Sequence, residues 1–491
     1  MSTPATGEDS YMTGIRHDQI QTLLDRVRAK GHAHVLHFWD KLSEHSRQQL
    51  LHQLSLIDFD LIVWLYRQYI LNKTPHDTSA LEPAAIITLA HQRAHPEETR
   101  KMTALGEEML RAGKIAAVLV AGGQASRLNF DKPKGAYPIG PVSKKSLFQL
   151  HAEKLIATSR RYRTRIPWYI MTSDTNDGET RAFFEQNELF GYPPEDIFFF
   201  EQEMMPAIDE NGKLILDAPD HIFMNPNGHG GTLTALEKSG ALADMQRRGI
   251  QEIFYFQVDN VLLKLCDPLF IGYHIAANAE MSAKVCSKRD PYERVGVVGK
   301  LVDPTSGNAG RLKVIEYSDL SNADKEARNP DGTLKYNAGN LAIHLLKVDF
   351  VAREVRGGTK LPWHVAHKKI PYFDMNGRFI RPEQPNGYKF ETFIFDALSD
   401  ARQAVLLEVE RCLEFSAVKN ATGEDSPKTA RHDLCEFYAG WLEQAGITVP
   451  RDADGNLKAR IEVSPLFALD AEEFVQKTPS NLRVEDDLYL K

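Results

Sequence analysis

The chain has 491 residues, 26% of them charged, and a formal net charge of −8, which is enough for two or three domains around a large core. The acidic balance excludes a general nucleic-acid or anionic-membrane surface. No run of about 18 apolar residues is present, and the first thirty residues lack a charged-then-apolar leader pattern. The four cysteines, Cys266, Cys286, Cys412 and Cys435, are far apart and form no C-x-x-C. They read as free thiols of a reducing compartment, so a cytoplasmic protein is expected.

The first dozen residues are polar, and disorder is expected there. From His17 to Met109 the pattern is helical, with Ile20, Leu23, Leu24 and Val27 on one face. His34, His37 and Asp40 are spaced by three, the spacing of a metal-binding helical face. Nothing nearby supports that reading, and they are taken as surface or packing residues.

Ile115 to Ala121 is a short apolar run that stops at Gly122-Gly123, the pattern of a buried parallel strand ending in a tight turn. Two glycines allow close approach of a ligand, and Arg127, Lys132 and Lys134 follow, which points to a polyphosphate. Neither the Walker pattern nor G-x-G-x-x-G fits the spacing. The next helix is expected from Ser146 to Tyr162, opened by a Ser146/Gln149 capping box. A connection that long at a strand's carboxyl end is usually functional.

Strand Trp168 to Thr172, helix Arg181 to Phe190 with a Gly191 cap, and strand Ile197 to Phe200 continue the alternation. It predicts an α/β fold, a mostly parallel central sheet with helices on both faces and ligands at the strands' carboxyl ends. Gln202 stands at one such end, where its amide can donate to and accept from a ligand or cap its own strand. Asn211-Gly212 marks a hairpin. The loop Asn225 to Gly231 precedes a helix expected over 232–246, a platform for an anion or base. Strand 253–258 ends in Asp259-Asn260. Asp259 suits Mg²⁺, with a structural turn cap as the alternative.

Gly296 and Glu316 lie in two further strands, and a carboxylate there can accept from two hydroxyls at once. Alternation places Phe393 and Phe395 on one face of an extended segment. His364 and His367 lack a third metal ligand and read as a basic patch with Lys368 and Lys369. A helix is expected over 398–413, and residues 445–491 carry short β-like runs around Asp454.

Leu119, Gly122, Gly123, Gln124, Arg127, Leu128, Pro133 and Lys134 resemble the signature L-x-x-G-G-Q-G-T-R-L-x-x-x-x-P-K of the UDP-N-acetylhexosamine pyrophosphorylases, uridylyltransferases that join UTP to a sugar 1-phosphate. The FEQEMMPA, Val258-Asp259-Asn260, Asn337 to Asn340 and Phe415 to Asn420 segments resemble further family motifs, in family order. The resemblance implies an N-terminal helical region (1–109), a Rossmann-like nucleotidyltransferase domain (110–400) and a small C-terminal β domain (401–491). It implies that Gly122, Gly123, Gly228 and His229 hold UTP with Gln202 on the uracil, and that Asp259 binds Mg²⁺. It assigns Arg127, Lys134 and Lys419 to the phosphates. Asn260, Gly296, Glu316, Asn337, Phe393 and Phe395 are left to the sugar, the two phenylalanines lining an N-acetyl pocket. The implied partners are UTP and an N-acetylhexosamine 1-phosphate, with no nucleic acid or membrane, as monomer or dimer.

Three positions depart. Ala125 and Ser126 replace Gly-Thr, and a glycine of positive φ there would leave Ala125 strained. His229 is more like the UDP-glucose pyrophosphorylases, so a glucose or broad-specificity enzyme is the competing reading. A nucleotide-sugar sensor is the non-enzyme one.

Overall fold

The computed structural model describes residues 17–72, 81–302, 310–358 and 360–491. The first dozen residues, expected to be disordered, lie outside the described residues. The chain divides by contacts into two units. The larger comprises Asp77–Gln202, Gly230–Leu361 and Ile394–Lys491, and the smaller Met1–His76, Glu203–His229 and Pro362–Phe393.

Among the described residues, the larger unit holds a ten-stranded sheet. Its strands are β1 (Leu81–Pro83), β2 (Ile115–Val120), β3 (Trp168–Ser173), β4 (Ile197–Gln202) and β5 (Glu252–Gln257), then β6 (Met281–Ser287), β7 (Val297–Leu301), β8 (Leu312–Ile315), β9 (Ala338–Lys347) and β10 (Ala404–Glu408). The order is β1-β7-β9-β5-β2-β3-β4, with β6 on β9 and β10, and β8 on β7. The expected α/β core with its parallel sheet is present: β5, β2, β3 and β4 run parallel, as do β6 and β10. β2 and β3 are buried along almost their whole length, as continuous apolar strands covered on both faces must be. Antiparallel β9 and β7 extend this sheet.

Register decides what meets at one edge. Gln257 pairs with Val120, so the tips after β5 and β2 are neighbours. β9 runs opposite to β5 and therefore begins at that same edge, with Ala338 beside Ser287 at the end of β6. Val297 of β7 pairs with both Gly339 and Ile315, which brings Gly296 and Glu316 to the same level.

Helix α1 (Pro96–Arg111) packs on helix α4 (Pro268–Ala276), α2 is Leu147–Tyr162 and α3 is Asp177–Gln186. Ser146 accepts from the Gln149 N–H, but the Gln149 side chain goes forward to Glu153, so the capping box is only half made. The third helix ends at Gln186 rather than Phe190. A 3-10 turn with left-handed Glu188, Leu189 and Phe190 follows, closed by Gly191.

The helix expected over 232–246 is two, Thr232–Lys238 and Ala241–Arg247, broken where Gly240 takes φ +80°. The helix expected over 398–413 is absent: residues 398 and 399 end a 3-10 helix, Ala404–Glu408 is β10, pairing with β6, and only Arg411–Glu414 is α-helical. Pairing of Ala-Val-Leu-Leu-Glu with an open sheet edge overrides its helical propensity. The tail is helical before it is extended: α5 (Pro427–Gln444) carries a full Ser426/Thr429 capping box, and Ile461–Val463 pairs with Leu488–Leu490.

In the smaller unit, helices His17–Ala29, Glu44–Leu56 and Phe59–Leu65 supply Val27, Leu50, Leu54, Phe59 and Ile62 to a core shared with Met205, Ile208, Leu214, Ile222 and Phe390. Gly212, at φ +76°, turns the expected hairpin. His34 lies in a 3-10 turn, its Nε2 2.8 Å from the Leu214 carbonyl. His364 and His367 lie on the strand Trp363–Lys368, where a spacing of three puts them on opposite faces. Among the described residues, no group of three His, Cys, Asp or Glu side chains could hold a metal by itself.

Candidate active site at the sheet edge

The diglycine turn is tied down from the end of β3. Ser173 Oγ donates to the Gly122 carbonyl and Asn176 Nδ2 to the Ala121 carbonyl, each at 2.9 Å. Gln124 Nε2 donates to the Thr175 carbonyl at 2.9 Å. A side chain at Gly122 would press on the Gln202 amide at 3.2 Å and on the Thr172 carbonyl at 3.3 Å. The missing Cβ is thus what lets the Gln202 amide lie against the turn. Around Gly123 a Cβ would meet nothing within 4 Å, so the turn is open on that side. Gln202 is the last residue of β4 and is buried. Ala125 has φ −88°, so the expected strain is absent, and its methyl joins the core. The left-handed non-glycine residues of this connection are Asn129 and Lys144.

Asp259 stands just past β5, one strand from that turn, with 6% of its surface exposed. Lys134 Nζ is 3.4 Å from its Oδ2. Burial alone raises the carboxyl pKa, but Lys134 and Lys419 outweigh it and hold the group below its usual value. Lys419 comes from far along the chain, and its approach is built by hydrogen bonds. Asn260 Nδ2 donates to the Glu414 carbonyl at 2.8 Å, and its Oδ1 accepts from the Ser416 N–H at 3.0 Å. The Asp259 carbonyl accepts from the Val418 N–H at 3.0 Å. Asn260, expected to touch substrate, therefore spends both ends of its amide latching residues 414–416 to the Asp259 tip. Arg127 is exposed beside the turn, and among the described residues no acceptor holds its guanidinium.

The residues expected on the sugar side, Asn337, Gly296 and Glu316, reach this edge by strand register. Asn337 Oδ1 accepts from the Lys288 N–H at 2.8 Å and its Nδ2 donates to Ser287 Oγ at 3.1 Å, bracing the end of β6. The Gly296 carbonyl accepts from the Asn340 N–H at 2.8 Å. Glu316 follows β8 directly. Phe395 does not share an extended face with Phe393: it lies buried in a 3-10 helix, Ile394–Ser399, packed on β8. The chain turns after Thr392, which ends the alternation.

The smaller unit carries the other residues. Gly228 has φ +84°, and a Cβ there would lie 2.4 Å from the Thr392 carbonyl, so only glycine fits. Phe393 is flanked by two imidazoles, His229 at 5.2 Å and His364 at 4.4 Å between ring centroids. Burial, helped by His364, lowers the His229 pKa to about 4, so this ring is neutral at pH 7.

Sequence reasoning missed Ser173 and Asn176, which hold the turn, and His151 and Lys154 on α2. His151 recurs four residues after Leu147 and four before Leu155, so its place on the buried face was readable.

A profile of the family described as UTP–glucose-1-phosphate uridylyltransferase matches residues 62–445. The chain is similar to the UDP-N-acetylglucosamine pyrophosphorylase of Saccharomyces cerevisiae, with 36% identity over 91% of this chain and 94% of that one. It is likewise similar to the UDP-N-acetylhexosamine pyrophosphorylase-like protein 1 of Homo sapiens, with 36% identity over 92% and 93%. Among solved structures it is similar to the uridine diphosphate N-acetylglucosamine pyrophosphorylase from Trypanosoma brucei in complex with an inhibitor, at a TM-score of 0.79 and 27% identity, covering 98% and 99% of the two chains.

Proposed function

This chain belongs to the UTP–glucose-1-phosphate uridylyltransferase family, and we propose that it forms UDP-N-acetylglucosamine and pyrophosphate from UTP and N-acetylglucosamine 1-phosphate. One observation carries the reading: a diglycine turn backed by the Gln202 amide and a buried carboxylate flanked by Lys134 and Lys419 lie on adjacent strand tips of one parallel sheet. That pairing suits a nucleoside triphosphate with a divalent cation.

A phosphate oxygen of the sugar 1-phosphate bonds to the α-phosphorus of UTP as the bond to the bridging oxygen breaks, and pyrophosphate departs with that electron pair. The attacking oxygen is already ionised at neutral pH, so no side chain need remove a proton. Lys134, Lys419 and Arg127 offset the charge that shifts towards the leaving group, and Gln202 orients the base. Asp259 alone cannot enclose Mg²⁺, but one buried, ionised carboxylate fits a cation that completes its shell with phosphate oxygens and water. Held by Asp259, a divalent cation would supply positive charge that offsets the charge of the phosphates.

His229, whose place in the glycine loop resembles the UDP-glucose pyrophosphorylases, favours a second reading, a broader enzyme that also takes glucose 1-phosphate; its neutral ring rests on Phe393. An acetyl pocket discriminates by only about 1–3 kcal/mol, so leakage between sugars is expected. Four unpaired cysteines support a cytoplasmic setting. No helix among the described residues is long and apolar enough to cross a membrane. Coupled pyrophosphate release from UTP with each sugar 1-phosphate tests the proposal. Faster turnover of the N-acetylglucosamine substrate is expected. No turnover with any sugar, despite UTP binding, would leave only the sensor.

A further inference from the structure

Two side chains that no family motif covers grip the Asp259 tip from beneath. They stand three residues apart on α2 and face the same way. The Val258 carbonyl accepts from His151 Nε2 at 3.0 Å, immediately before Asp259. Lys154 Nζ donates to the Val261 carbonyl at 2.7 Å and the Leu263 carbonyl at 2.8 Å, just after it. Three carbonyls on the two sides of the tip are therefore fixed by one helix. Among the described residues no other hydrogen-bond partner reaches these two side chains and His151 Nδ1 has none; Phe256 packs edge-on against the His151 ring at 5.3 Å, and Glu414 acts on Lys154 through its charge.

We propose that His151 and Lys154 are positioning residues that fix the Asp259 carboxylate for its divalent cation. The chemistry of the pair separates this from simple helix packing. Both are costly to bury: desolvation pulls His151 to about 3 and Lys154 to about 7. An apolar residue would pack α2 against the strand at lower cost. A neutral imidazole keeps the proton of its Nε2–H on the Val258 carbonyl, and the lysine nitrogen, protonated or not, has hydrogens for two diverging carbonyls. Residues that orient a metal-binding carboxylate work through such contacts, and their loss costs 10–100-fold in metal affinity or activity.

The inference rests on the reading of Asp259 as the metal carboxylate, and the experiment keeps the two apart. Mn²⁺ binding to the full-length protein in the presence of UTP, without sugar phosphate, is followed by electron paramagnetic resonance beside steady-state kinetics. Lys154→Met and His151→Leu are expected to weaken Mn²⁺ binding by about tenfold or more, with kcat falling and KM for the sugar phosphate within about twofold of the parent. Lys154→Arg and His151→Gln, which restore donors to the same carbonyls, are expected to recover most of the loss. Asp259→Asn is the reference. If it leaves Mn²⁺ affinity unchanged, the metal reading itself fails. If it abolishes binding while Lys154→Met and His151→Leu bind Mn²⁺ like the parent, the positioning role is overturned. Should one of those two variants not fold, the other, judged against its donor-restoring partner, still decides the matter.

Discussion

The Asp259 tip and the Phe393 stack bring polar and aromatic groups to order by opposite means. At the tip every group is charged or hydrogen-bonded: Asp259 between two lysines, Asn260 latching the Lys419 segment, three carbonyls held from α2. At the stack a phenylalanine lies between two imidazoles, and His229 is kept neutral by burial. On the proposed function, the first arrangement manages charge that moves during the reaction, and the second offers an apolar face to a neutral substituent of the sugar. Rate should therefore be concentrated at the tip and selectivity at the stack.

The sharpest way to break that contrast is at Asp259. Asp259→Ala and Arg127→Ala are each expected to lower kcat by about 10²-fold or more, in steady-state assays of folded protein. A loss of that size confined to KM would move these groups out of the chemical step. At the stack, Phe393→Ala is expected to leave kcat for N-acetylglucosamine 1-phosphate within a few-fold. The preference over glucose 1-phosphate should fall by about 10–100-fold, the worth of an acetyl-sized contact. An unchanged sugar preference would remove Phe393 from recognition.

Between these lies Gly122→Ala, whose methyl meets the Gln202 amide at 3.2 Å. It is expected to raise KM for UTP by about tenfold through displacement of that amide. Ala125→Gly, at φ −88°, is expected to change KM by less than about twofold. A large effect there would mean that the turn needs freedom the native backbone does not use.

A different readout is stability against pH. Burial lowers His32 and His229 to about 4 and His151 to about 3. An unfolded histidine takes up its proton near pH 6.5, which the folded chain refuses until well below that. The unfolded state thus binds more protons as pH falls from about 6.5 towards 4, and stability declines over that window while changing little above it. Thermal unfolding between pH 4 and 8 measures this, and His32→Gln should flatten the slope. A Tm that rises on acidification would contradict these environments.

Much of the sheet could be read from the chain because its strands are local apolar runs closed by Gly-Gly, Glu-Gln or Asp-Asn. The tips carrying Gly122, Gln202 and Asp259 are therefore where spacing and signature place them. β10 escaped, since Ala404–Glu408 becomes a strand only because β6 offers it an edge, a tertiary fact. The segments 203–229 and 362–393 read as parts of an alternating core, yet their apolar residues pack with the N-terminal helices. Interleaving of that kind leaves no local trace. Ala125 shows the reverse failure: a motif suggested strain, while the backbone torsion that decides it is set by the loop as a whole. Lys419 was found by resemblance, but its latch through Asn260 required coordinates, because an asparagine's partners cannot be inferred from its neighbours in sequence.

That latch has a temporal side. The turn around Gly122 and the acid at Asp259 leave the ribosome long before the strand 404–408 and the lysine beyond it. Until those arrive, Asn260 has nothing to hold and the carboxylate has Lys134 as its nearby cation. During synthesis the groups at Gly122 and Asp259 therefore emerge without the segment that Asn260 holds, and the arrangement proposed to handle phosphates is complete only once Lys419 has followed.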